Sequence, residues 1–158
     1  MVSPGVDGTV TSPQVTLDDL PVWARSLLDE ARVARLALLD EEDLPRVLPV
    51  TFAVWEGAVW SAIDRKPKRV AANSLTRLKN IAQTPRVALL VDHYDEDWTR
   101  LWYVLVRGEA ELVSDLAERE RAIQLLRTKY PQYDADMLAE DAPVLRITPA
   151  RITAWGKF

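Results

Sequence analysis

Residues 45–63 read PRVLPVTFAVWEGAVWSAI, and the fold turns on how they are taken. Two apolar runs, RVLPVTFAVW and AVWSAI, flank Glu56–Gly57, which predicts a β-hairpin with a tight turn at the glycine. Pro49 has no N–H for a ladder, so its strand needs an edge or a bulge at that point. Trp55 and Trp60 stand on either side of the turn, where cross-strand packing is expected.

Working upstream, VARLALLD (33–40) is short, apolar and followed by the polar turn EEDLP, which makes it a strand. PVWARSLLDEAR (21–32) opens on a proline and spaces Leu20, Trp23, Leu27 and Ala31 by three and four, the stripe of an amphipathic helix. Downstream, Asn73 and Ser74 are good N-caps for a helix over LTRLKNIAQT, stopped by Pro85. RVALLVDHY and TRLWYVLVRGEAELV follow as strands, and Leu101 to Val106 is apolar on both faces, so cover on both sides is expected. DLAERERAIQLLRTKY begins with Asp115 as a cap and sets Leu116, Ile123, Leu126 and Tyr130 on one side of a helix. PVLRITPARITAW supplies one or two more strands, broken at Pro149.

The sum is about six strands and three helices. Several strand pairs are joined too closely for crossover helices, so the sheet is mainly antiparallel. The expected fold class is mainly β (α+β): a six-stranded antiparallel split β-barrel with peripheral helices. Residues 1–15 read as a disordered tail with neither the positive nor the apolar region of a secretion signal, and 16–158 as one domain.

The totals narrow the chemistry. A chain of 158 residues, 48% hydrophobic and 28% charged, is an ordinary globular composition with no run long enough for a bilayer. It has no cysteine, which removes disulfides and thiolate chemistry and leaves the cytoplasm as the expected location. One histidine, His93, is too few for a serine–histidine relay or most zinc sites. An enzyme built this way borrows its reactivity from a cofactor. The net charge of −4 argues against a broad nucleic-acid surface.

One window runs against that acidity. No carboxylate lies between Asp64 and Asp92, whereas Arg65, Lys66, Lys68, Arg69, Arg77, Lys79 and Arg86 all do. The segregation falls where a strand end feeds through a proline-containing loop into a helix start, a place suited to phosphate. A merely solvated charged face is the competing reading. No glycine lies in the window, so neither glycine-rich nucleotide motif is present. The cluster DHYDEDW (92–98) mixes a histidine with carboxylates, and an acidic hairpin turn accounts for it; no metal site is expected.

The hairpin PRVLPVTFAVWEGAVWSAIDRKPKR, the helix TRLKNIAQTPRVALLVDHY and the strand WTRLWYVLVRGEAELV together resemble the pyridoxamine-phosphate-oxidase-like split-barrel flavoproteins. Within these, the chain is most similar to the flavin/deazaflavin oxidoreductase branch that uses coenzyme F-420. The resemblance runs from Leu20 to Phe158, and its most specific part is RLKNIAQTPRVALLV (77–91). It implies a homodimer with cofactor sites at the interface, acting on a small organic acceptor.

Residue by residue, the resemblance makes Arg77 a phosphate ligand and Asn80 a polar helix contact, and sets Pro49, Val50, Thr51 and Ser61 beside the ring. Lys66, Lys68 and Arg69 are placed by charge as partners for a longer phosphate-bearing tail. Trp98 and Trp102 are candidates to wall the ring across the interface, although core or interface packing explains tryptophans as well. The oxidases of pyridoxamine phosphate carry an Arg-Lys pair where Thr76 precedes Arg77 here, and no arginine-and-histidine motif stands near the C-terminus. The expected cofactor is therefore F-420, with FMN as the alternative. Tyr94, His93 and solvent are all open as proton sources. A non-catalytic cofactor-binding or sequestering protein is the rival reading.

Overall fold

The computed structural model describes the backbone of residues 9–10, 16–64 and 68–156, and the side chains of 16–64 and 76–156. Eight strands and three helices follow one another as β1 (Thr9–Val10), α1 (Val22–Glu30), β2 (Ala34–Leu39), β3 (Pro45–Val50), β4 (Ala53–Trp55), β5 (Ala58–Ala62), α2 (Lys68–Gln83), β6 (Arg86–His93), β7 (Trp102–Leu112), α3 (Leu116–Lys129) and β8 (Val144–Gly156). All pairings are antiparallel, in the order β3-β2-β6-β7-β8-β5-β4, with β1 pairing β8 beside that path.

That order forces the sheet to curl. β3 and β4 stand at its opposite ends, yet only Thr51 and Phe52 separate them in the chain. Three residue steps reach at most about 11 Å. The two ends must therefore lie side by side, which closes the sheet into a barrel split between β3 and β4. No ladder crosses this split; the corner is held by side chains instead. Tyr130 Oη accepts from Phe52 N at 3.1 Å and faces the carbonyls of Phe52 and Arg32, both at 3.0 Å.

The corner also corrects the strand count. The run RVLPVTFAVW is two strands, not one, because Tyr130 takes over the Phe52 hydrogen bonds that a continuous ladder would have used. Pro49 lies on β3, an edge strand whose only ladder partner is β2, so its missing N–H leaves no gap. Glu56 and Gly57 both take positive φ, 48° and 70°, the requirement of the two-residue hairpin turn. Trp55 and Trp60 pack across that hairpin with ring centroids 5.2 Å apart, and Trp60 Nε1 donates to Trp55 O.

Two apolar clusters result. Leu36, Val59, Leu89, Val104, Val106 and Ile152 fill the barrel, closed by Leu20, Ala24 and Leu28 of the α1 region. Ala58, Trp60 and Ala62 point the other way from β5, beneath Ala122, Ile123 and Leu126 of α3. β5 is thus buried on both faces, its alternate residues feeding different cores.

Other sequence expectations are corrected. α2 begins at Lys68, ahead of Asn73 and Ser74, because the sequence from Lys68 onward carries no helix breaker before Pro85. In α1 the fully buried positions are Ala24 and Leu28, with Trp23 and Leu27 flanking them. Leu116, in the first turn of α3, is exposed rather than packed. β8 runs through Pro149 unbroken: the register slips so that Arg107 faces Arg151 and Gly108 faces Pro149, leaving Ala150 as a bulge. Tyr103 and Leu105 are half-buried whereas Val104 and Val106 are buried, so this part of β7 is covered more fully on its barrel side. Thr9–Val10 pair with Gly156 and Trp155, which takes those two residues out of the tail read as disordered; the rest of 1–15 lies outside the described residues. Among the described residues no helix is long and apolar enough to cross a membrane.

Candidate functional site

At the split, β3 and the Thr51–Phe52 corner face the end of β5 and the inner side of α2. A cavity of about 180 Å³ lies there, with Val33, Pro49, Val50 and Thr51 on one side and Ala62, Ile63, Asp64 and Arg77 on the other. Arg77 and Asn80 are three apart on α2 and so share its inward side. Both are buried, Arg77 at 8% exposure and Asn80 at 1%.

The polar inventory around the cavity is out of balance. Arg77 Nε and both polar atoms of the Asn80 amide are buried without a hydrogen-bond partner among the described residues. Native interiors pair the large majority of such groups. Burial lowers the Arg77 pKa, the Asp64 carboxylate opposes that shift, and the like charge of Arg46 adds to it. The guanidinium keeps its charge all the same. A buried cation at the cavity, with an unpaired amide on the same side of α2, suits an anion with acceptor oxygens.

The opposite wall is fully bonded. Ser61, 1% exposed, donates to Thr51 O at 2.8 Å. Tyr133 Oη donates to Asp64 Oδ2 at 2.9 Å and lies 2.7 Å from Thr51 Oγ1. Burial is the main cause that pushes the Tyr133 phenol up to about 12.

The structure therefore sets Pro49, Val50, Thr51 and Arg77 around one cavity; Ser61 is tied to its wall through Thr51 O, and Asn80 is buried on the same side of α2 as Arg77 without lining the cavity. Lys68 and Arg69 open α2 on the cavity side of the chain order, but their side chains, like the whole of Lys66, lie outside the described residues. Lys79 points away and pairs with Glu41 at 2.9 Å, and Arg86 is exposed on β6. Asp64, Tyr130 and Tyr133 belong to the site and were not foreseen. The signal for the two tyrosines was the Tyr-Pro-Gln-Tyr spacing just past α3, where two polar-tipped rings stand three residues apart.

Trp98 and Trp102 do not line this cavity. Trp98 is 60% exposed in a 3-10 turn capped by Asp97, and Trp102 stacks on His93 with centroids 6.3 Å apart. Trp102 and His93 line a separate cleft of about 460 Å³ with Leu27, Glu30 and Arg100. Asp95 meets His93 at 3.6 Å and Arg100 at 3.4 Å, so this carboxylate already has its partners. Among the described residues no group of three or more His, Asp or Glu is arranged for a metal. Tyr94 is exposed.

An antiparallel barrel split at one seam, with a buried cation at that seam, is the split-barrel fold. The chain belongs to the pyridoxamine 5′-phosphate oxidase family, whose model matches residues 23–155. No curated protein matches it. Among solved structures it is similar to a candidate 5-nitroimidazole antibiotic resistance protein of Bacteroides thetaiotaomicron, with TM-score 0.69 and 12% identity over 98% of this chain and 95% of that one. It is also similar to an FAD-binding protein of Mesorhizobium loti, with TM-score 0.64 and 19% identity over 94% and 96%. A third is an F-420 reductase, with TM-score 0.62 and 22% identity over 84% and 98%. At these identities the likeness is one of fold.

Proposed function

We propose that the protein is a cytoplasmic, homodimeric oxidoreductase that holds deazaflavin coenzyme F-420 at the split, with FMN as the alternative cofactor, and transfers a hydride between it and a small organic acceptor. The observation that carries this is the buried Arg77 guanidinium next to the unpartnered Asn80 amide. The residues present fit such a group: Arg77 supplies charge and forked N–H donors, and Asn80 supplies a donor and an acceptor. Lys68 and Arg69, by their place in the chain, extend the positive charge toward a longer phosphate-bearing tail.

Size supports an interfacial site. Pockets that enclose a drug-sized ligand measure about 300 Å³ or more, whereas the cavity in one chain is about 180 Å³. One chain thus offers only part of a cofactor site, and a second surface completes it. A candidate for the dimer face is the outer side of the sheet, where Ala37, Leu39, Ala88, Leu90, Tyr103 and Leu105 are all half-buried apolar residues. Trp98 and Trp102 then belong to whatever that second chain brings.

The coenzyme, when bound, supplies the hydride chemistry. The chain's task is to bind the anionic tail through Arg77, fix the wall through Ser61 and Tyr133, and exclude water with the apolar rim of Val33, Val50 and Ile63. Titration of the cofactor-free protein with F-420 and FMN, followed by ring fluorescence, tests the reading. Micromolar or tighter binding is expected for F-420. Charge-assisted hydrogen bonds net about 1.5–3 kcal/mol, so Arg77→Ala raises Kd at least about tenfold. Equal dissociation constants for wild type and Arg77→Ala would defeat the assignment. Tight binding without turnover of any enone or quinone would establish a carrier instead of an enzyme.

A further inference from the structure

Tyr133 stands behind the cavity yet touches two of its polar wall residues. A phenol carries one proton, and this one goes to Asp64 Oδ2 at 2.9 Å. The second contact, 2.7 Å to Thr51 Oγ1, is thereby fixed in direction: the Thr51 hydroxyl donates and the phenol oxygen accepts. Thr51 has then spent its only proton. Toward the cavity it lines, its oxygen offers lone pairs alone.

The chain is held in place around this relay. Tyr133 is 7% exposed, its backbone N–H donates to Tyr130 O at 2.9 Å, and its ring meets the Tyr130 ring edge-on at 5.7 Å. Tyr130 in turn grips Phe52, the neighbour of Thr51, by both backbone groups. The two tyrosines act on adjacent residues of one corner: the first fixes where Thr51 sits, the second which way its proton points.

We infer that Tyr133 is a positioning residue that makes Thr51 an obligatory acceptor, so that this wall selects a cofactor group donating an N–H, namely the ring imide that flavins and deazaflavins share. The inference rests on the cofactor reading proposed above. It adds that discrimination at the ring depends on a residue whose hydroxyl is turned to Asp64 and Thr51, away from the cofactor.

The test compares FMN with its N3-methyl analogue on the full chain. Wild type is expected to bind the N–H form at least about tenfold more tightly, because a site built to hydrogen-bond a group rejects the analogue lacking it. In Tyr133→Phe the Thr51 hydroxyl is released to turn either way, and the preference falls below about threefold. A tenfold preference that survives Tyr133→Phe, or wild type binding both rings equally, overturns the inference. A second measurement needs no cofactor: carbon-13 tyrosine NMR across alkaline pH, with Tyr133→Phe identifying the resonance. Asp64→Asn is expected to lower the Tyr133 midpoint. If neither ring binds wild type, the cofactor reading fails and this titration decides the relay alone: a lowered midpoint upholds it, and an unmoved one overturns it.

Discussion

Asn80→Leu sets stability against binding in one substitution. The Asn80 side chain is 1% exposed, and neither Nδ2 nor Oδ1 has a partner among the described residues. A buried donor or acceptor left unpaired costs about 1–3 kcal/mol, so the two ends together weigh about 2–6 kcal/mol against the cofactor-free fold. Leucine keeps the same branched skeleton with methyls at both ends, and it is the better helix former by about 0.5 kcal/mol. Its methyls are larger than an amide nitrogen or oxygen, and that crowding returns about 1–2 kcal/mol. The net expectation is a cofactor-free protein more stable by about 0.5–5.5 kcal/mol, read as a higher urea midpoint at unchanged slope. Protein concentration must be held fixed, because the proposed dimer would shift the midpoint by mass action. Cofactor affinity moves oppositely: with its hydrogen bonds deleted, Kd rises about tenfold or more. If Asn80→Leu lowers the urea midpoint, the amide is a satisfied core group and its place in the site is lost.

Two further outcomes are expected. A Cβ on Gly108 would lie 2.0 Å from Thr148 O, a backbone atom at the β-bulge that cannot swing aside, so Gly108→Ala should lower stability by about 2–3 kcal/mol or more; a loss under about 1 kcal/mol would mean the strands there separate easily. Lys129 Nζ lies 4.0 Å from the Phe52 ring centroid, and burial lowers its pKa to about 8, opposed by Asp29 and assisted by Arg32. Between about 8 and 10.5 the unfolded chain holds a proton that the folded chain has released, so stability rises with pH through that window. Lys129→Met should flatten this rise in urea midpoints measured from pH 7 to 10.5, and an unchanged slope would assign it to another group.

What the sequence made legible was local. The Glu56–Gly57 turn, the Asp115 cap and the edge position of Pro49 follow from turn chemistry, an N-cap and a missing N–H, each decided within a few residues. The closure of the barrel was not legible, because it depends on a phenol reaching Phe52 across 78 residues of sequence. A tyrosine at the end of an amphipathic stripe reads as core, and Tyr130 is core by its ring and a corner post by its hydroxyl. Tyr133 and Asp64 escaped notice for the same reason: their meaning lies in a contact 69 residues apart.

The basic window shows how far charge segregation can be taken. Seven cations without a carboxylate mark a region, but they carry no direction until the helical period is applied. On α2 successive residues advance by about 100°, so Asn80, three on from Arg77, falls on nearly the same side, while Lys79, two on, falls about 200° away. The structure obeys that arithmetic: Arg77 and Asn80 are buried, and Lys79 reaches Glu41 at the surface.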